Sequence, residues 1–140
     1  MKLMVDTNII FDVFFERQPF YESSKKALSL CEKRKVEGFV TASTITDIYY
    51  MVRRHFQSTE LAYKYLGYVL DIVRVLPVTN EDILSAYLER AKDFEDCLLV
   101  TCAKKNKCTH LLSRNKKDFV GFDISLLSPE ELLSKAKWKV

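Results

Sequence analysis

The chain has 140 residues, 48% hydrophobic and 29% charged, which predicts one soluble globular domain over residues 1–140 with a substantial core. Its apolar runs are too short to cross a bilayer, and Met1-Lys2-Leu3 opens no signal-peptide pattern, so the expectation is a cytoplasmic protein without a membrane partner. Lys and Arg exceed Asp and Glu by 22 to 19, a net +3 that permits a nucleic-acid partner without requiring one. The cysteines Cys31, Cys97, Cys102 and Cys108 form no C-x-x-C pair and, with only His55 and His110 beside them, predict buried free thiols rather than a zinc site. Three glycines and three prolines leave no phosphate-binding glycine loop.

Lys2 to Val5 is a short, largely apolar run that predicts a buried strand. Asp6 follows at once, and a helix is expected over about residues 8–15, with Ile9, Ile10, Val13 and Phe14 at helical spacing. An acid at the carboxyl end of a buried strand stands where open α/β sheets place their ligands. Asp6 equally suits the N-cap of that helix. Arg17-Gln18-Pro19 interrupts, and a second helix is predicted from about Phe20 to Lys35.

Val36 to Thr41 reads as the second strand. Ser43 or Thr44 is expected to cap a helix whose apolar stripe is Ile45, Ile48, Tyr49 and Val52. A Tyr- and Leu-rich helix follows over about Thr59 to Asp71, and its Tyr63 to Tyr68 segment offers either an apolar surface for a homodimer or a core face with Tyr rims. Val73 to Val78 is the third strand. Thr79 and Asn80 open a helix to about Ala91, and Asp93 caps another from Phe94 to about Asn106. Thr109 to Ser113 is a fourth strand, Arg114 to Asp118 a polar loop and Asp123 to Leu126 a possible fifth strand. Ser128-Pro129-Glu130-Glu131 is a capping box with Pro at the first helical position. Strands separated by helices predict a three-layer α/β/α fold around a mostly parallel sheet of four to five strands.

Acids follow two strands and begin two helices. Asp96 shares its helix face with Val100 and Ala103, so its carboxylate is costly unless a partner neutralises it; the plain alternative is a first-turn acid that complements the helix dipole. Asp47 lies one turn into its helix at the edge of the apolar stripe, where a dipole role also suffices. Asn115 and Asp118 suit turn chemistry. Brought to one sheet edge, such carboxylates repel one another unless a hard cation joins them, and Mg²⁺ or Mn²⁺ prefers all-oxygen sites.

Four segments, Val5-Asp6-Thr7-Asn8, Ser43-Thr44-Ile45-Thr46-Asp47-Ile48-Tyr49-Tyr50, Asp93-Phe94-Glu95-Asp96-Cys97-Leu98 and Ser113-Arg114-Asn115-Lys116-Lys117-Asp118-Phe119, resemble in order and separation the four blocks of PIN domains. The branch most resembled includes the VapC-like toxin ribonucleases of toxin–antitoxin pairs. The resemblance implies a Mg²⁺- or Mn²⁺-dependent ribonuclease that hydrolyses RNA phosphodiesters, with an antitoxin protein as partner. It assigns Asp6, Asp96, Asp118 and Asp47 as catalytic metal ligands, with Asn115 and Asp93 as further candidates. Asp47 stands where the family usually has Glu, one methylene longer. Arg114, Lys116 and Lys117, with Thr7 and Asn8 beside the first acid, are candidates for holding RNA; the basic loop reads as well as a solvated turn. A haloacid-dehalogenase-type phosphatase needs a second Asp where this chain has Asn8. The alternative from another class is a catalytically weak PIN-like module that binds RNA or a protein.

Overall fold

The computed structural model describes residues 1–135. Five parallel strands form one sheet: β1 (Lys2–Val5), β2 (Glu37–Thr41), β3 (Val73–Leu76), β4 (His110–Leu112) and β5 (Ser125–Leu127), in the order β3-β2-β1-β4-β5. The helices are α1 (Thr7–Phe14), α2 (Tyr21–Glu32), α3 (Ala42–Phe56), α4 (Thr59–Ile72), α5 (Asn80–Glu89), α6 (Phe94–Lys105) and α7 (Pro129–Leu133). A 3₁₀ turn over Lys116–Phe119 lies between β4 and β5. The expected three-layer architecture is therefore present, with five strands. No helix among the described residues is long and apolar enough to cross a membrane.

Period-two alternation sorts the side chains into two cores. Leu3, Val5, Val40 and Leu112 join α1 to α4 and α7 on one face. Met4, Phe39 and Leu111 pack with α5, α6 and Phe119 on the other. The chain winds outward from β1 to β3, then returns to lay β4 on the free side of β1. That reversal leaves a crevice beyond the carboxyl ends of β1 and β4, where ligands of open α/β sheets bind.

Several boundaries differ from expectation, each for a local reason. Helix α3 starts directly on β2, and its cap is Thr41, whose Oγ1 accepts from the Thr44 amide at 3.4 Å; Ser43 and Thr44 lie inside the helix. Strand β5 begins at Ser125 rather than Asp123, because it pairs His110 to Leu112 with Ser125 to Leu127. The reciprocal capping box at Ser128 and Glu131 forms as expected, and a second, not foreseen from the sequence, forms at Thr79 and Asp82. Cys31, Cys97 and Cys102 are buried free thiols and Cys108 is half-buried. Tyr65 stacks on Phe14 with centroids 4.8 Å apart, while Tyr63 is exposed, so the Tyr-rich segment is part core and part surface.

Gly38 sets how closely α2 lies on the sheet. A methyl group there would stand 2.8 Å from Cys31 Sγ and 3.1 Å from Val73 Cγ1, both buried. Gly38→Ala is expected to cost about 1–3 kcal/mol by overpacking. Adding Cys31→Ala should return part of that loss, because the nearest obstacle is the sulfur. Urea unfolding of the two single variants and the double variant measures the coupling, and strict additivity would mean that α2 does not rest on Gly38.

Candidate active site

β1 is followed at once by Asp6, whose backbone amide donates to Leu112 O at 3.0 Å, locking the ends of β1 and β4 together. Asp6 occupies the N-cap position of α1, yet its side chain makes no capping hydrogen bond. Instead Oδ2 accepts from Ser113 Oγ at 2.8 Å, and the same hydroxyl oxygen accepts from the Asn115 amide at 3.0 Å. The residue is buried and lines the crevice. Asp6 thus sits at the N-cap position with its carboxylate engaged by Ser113.

Asp93 caps α6 by accepting from the Asp96 amide at 2.9 Å, which leaves the Asp96 side chain in the first turn and half-buried. The 3₁₀ turn after β4 carries Asp118, whose amide donates to Asn115 O at 2.9 Å. From α3, Asp47 comes in on the second turn. Asp6, Asp47, Asp93, Asp96 and Asp118 line one cleft of about 780 Å³ together with Thr7 and Asn8. Glu95, outside the set of acids that the sequence points to, lines it as well.

The acids feel one another. Burial pushes the Asp96 carboxyl up to about 6, and the negative charges of Asp93, Asp6, Asp118 and Glu95 add to it. Burial also raises Asp6, against the opposing pulls of the Ser113 hydroxyl, the Asn8 amide and the Arg114 charge. As placed, no three His, Cys, Asp or Glu side chains among the described residues close on a common point. Yet the donor set, all carboxylate oxygens and mutually repelling, has the chemistry that hard divalent cations take.

The three basic residues of the fourth block differ in their surroundings. Arg114 does not line the cleft: its Nε donates to Asp12 Oδ2 at 2.7 Å and its guanidinium stacks 3.9 Å over the Phe20 ring. Arg114 Nη1 also donates to Asn115 Oδ1 at 3.3 Å, and Asn115 likewise is not among the cleft residues. Lys116 pairs with Glu131 at 2.7 Å, and Lys117 is exposed on the same turn. The fourth block is therefore an internal brace as much as a surface.

That brace centres on Asp12, a residue outside the four blocks. It is fully buried on α1, where an acid among Ile9, Ile10, Val13 and Phe14 was the available signal. Ser24 donates to its Oδ2 at 3.2 Å; Oδ1 accepts no hydrogen bond and has Arg17 Nη1 at 3.9 Å. Arg17 in turn donates to Asn8 Oδ1 at 3.3 Å. Asp12 so joins α1 and α2 to the loop that holds Asp6 and Asp118. Removing one partner of a buried ion pair strands the other charge. Asp12→Ala should lower unfolding free energy by about 3 kcal/mol, the lower end for such a pair because Arg114 keeps partial exposure. Denaturant unfolding measures it, and a loss below about 1 kcal/mol would show the brace to be dispensable.

Asp96 dictates a pH dependence. The unfolded chain releases this proton near 3.8 and the folded chain near 6, so between those values the native state holds more protons. Its contribution to stability therefore falls as pH rises from about 4 to 6 and stays low above that. In chelator, Asp96→Asn should remove this downward slope and be at least as stable as the parent at pH 7. Thermal melts across that range test it; a variant that melts well below the parent at neutral pH would make Asp96 structural.

Comparison with known proteins agrees with the geometry. The family model described as PIN domain matches residues 2–117. Ribonuclease VapC1 of Aquifex aeolicus is 29% identical over 139 residues, spanning 96% of this chain and 94% of the relative. Among solved structures, VapBC2 of Rickettsia felis, bound to a promoter DNA fragment, superposes with a TM-score of 0.70 at 18% identity, covering 91% of this chain and 98% of that one. VapC20 of Mycobacterium tuberculosis, described as a Sarcin-Ricin loop cleaving toxin, gives 0.66 at 16% identity over 86% and 95%. The latter two similarities speak to the fold, and the model match spans all but the end of the fourth block; the chain belongs to the PIN domain family.

Proposed function

We propose that this protein is a divalent-metal-dependent endoribonuclease and the toxin of a toxin–antitoxin pair. The observation that carries the reading is the meeting of Asp6, Asp96, Asp118 and Asp47 in one cleft, from four separate parts of the chain. The likeness to a protein named as a ribonuclease supports the activity, and likeness to toxin–antitoxin complexes supports an antitoxin partner.

Asp6, Asp96 and Asp118 would hold Mg²⁺ or Mn²⁺, with Asp47 and Asp93 at its margin. Such an ion supplies Lewis acidity toward a phosphate oxygen and lowers the pKa of a water. The chain's own part is to fix and charge the site. Ser113 holds the Asp6 carboxylate in one orientation by its 2.8 Å hydrogen bond. Asp96, with its carboxyl raised to about 6, exchanges its proton readily for a cation near neutral pH. Thr7 and Asn8 open α1, whose amino end favours the negative charge of a scissile phosphate. Asp47 is exposed and shorter than a Glu, so it acts through a water, as Mg²⁺ readily allows.

Replacing Asp6 or Asp96 with Asn should cut cleavage of single-stranded RNA about a hundredfold or more, by analogy with losses of other preorganised electrostatic groups. Asp47→Ala should weaken divalent-ion affinity by about 10–100-fold, the range for an outer-shell partner, and Asp47→Glu should keep or raise activity. Ion titration by calorimetry and cleavage assays in Mg²⁺ and Mn²⁺ measure both. Ion binding without cleavage by the parent would favour the non-catalytic module; cleavage in chelator would dismiss the metal.

A further inference from the structure

The carboxyl half of α3 leads out of the acidic cleft. Asp47, Tyr50, Met51 and Arg54 recur at i, i+3, i+4 and i+7, a stripe about 10 Å long on one helix face. Tyr50 and Met51 line the cleft itself. Tyr50 also lines a neighbouring hollow with Arg53 and Arg54, and Met51 and Arg54 line another with Arg17 and His55. The three concavities are thus joined through shared residues. Tyr50 is 63% exposed, and Arg53, Arg54 and His55 are exposed as well. His55 stacks on Phe15 at 4.2 Å, and Arg17 lies 5.4 Å over the same ring.

Cations interleaved with exposed rings are the means by which proteins hold single-stranded nucleic acid: charge tracks the backbone and rings take bases. We infer that this end of α3 is the track for the RNA strand flanking the cleaved bond, with Arg53 and Arg54 on its phosphates and Tyr50 against a base. The inference rests on the nuclease reading and adds a second basic surface to the loop after β4, where Arg114 is tied to buried Asp12, Lys116 pairs with Glu131 at the surface and Lys117 is exposed. Charge complementarity selects the occupant: an anionic strand is repelled by the cleft's carboxylates and needs cations beside them.

The test uses full-length chain carrying Asp6→Asn and Asp96→Asn, in chelator, so that neither cleavage nor a missing ion affects binding. Fluorescence anisotropy follows a labelled single-stranded oligoribonucleotide across a salt series. Adding Arg53→Ala and Arg54→Ala should lower affinity at least tenfold and reduce the log–log salt slope by about 1.4, the value for two phosphate contacts on a single strand. Tyr50→Ala should weaken binding roughly fivefold or more at every salt concentration, with Tyr50→Phe near the parent. Lys33→Ala with Lys35→Ala removes the same charge from the loop entering β2, at the opposite edge of the sheet, and should leave affinity within twofold. Equal effects of the two charge pairs, or none, would overturn the track, and so would a changed oligomeric state of the Arg variant on gel filtration. Cleavage by the wild-type chain alongside either result leaves the nuclease reading standing; no RNA binding by the parent overturns both.

Discussion

Strand β1 hydrogen-bonds to β2 on one side and to β4 on the other, and that central place is the constraint from which the site follows. Because all pairings are parallel, every strand delivers its carboxyl end to one edge. The chain reverses direction between β1 and β4, so the loops after those strands diverge to opposite faces and leave room between them. Asp6 enters the gap from one strand and Ser113 from the other, and their hydrogen bond closes the floor.

The edge so built is electrostatically uneasy. Carboxylates from the end of β1, from α3, α6 and the 3₁₀ turn line one cleft, and burial first, then these like charges, push the Asp96 carboxyl up to about 6. A fold bears such a cost where the charges have work to do. The countermeasure is remote from the cleft: fully buried Asp12 anchors Arg114, which holds the segment that carries Asp118. One ion pair therefore braces a cluster of like charges without neutralising it. Arg114 also exerts a weak downward pull on the Asp6 carboxyl, so brace and site are electrically in touch.

The positive charges divide along the same logic. Arg114 in the loop after β4 is held by buried Asp12 and Lys116 by Glu131, whereas Lys117 and the cations at the end of α3 remain at the surface. Charge counting along a sequence treats the two groups alike. Their difference is one of partners, which only folding supplies.

Periodicity carried most of the architecture. Lys2 to Val5 is too short and too apolar for a helix, and the i, i+3, i+4, i+7 stripe over Ile45 to Val52 allows little else, so strand and helix order were legible in the chain. Asp93, Thr79 and Ser128 marked helix starts because a cap is a contact across three residues. Asp6 and Asp96 stood out locally because one follows a strand and the other opens a helix, whereas Asp47 and Asp118 joined them through the resemblance of their blocks. Contacts across about a hundred residues were not: Ser113 to Asp6 and Arg114 to Asp12 each span more than 100 positions, and no local pattern encodes them. The cap of α3 fell to Thr41 rather than Ser43 or Thr44 because β2 runs straight into the helix, a junction set by pairing with β1 and β3. The sequence by itself thus determined which residues bear charge and which elements carry them, since both are local properties. Tertiary structure alone decided which carboxylate faces the cleft, which is buried as an anchor and which arginines stay at the surface, because those outcomes depend on what packs opposite.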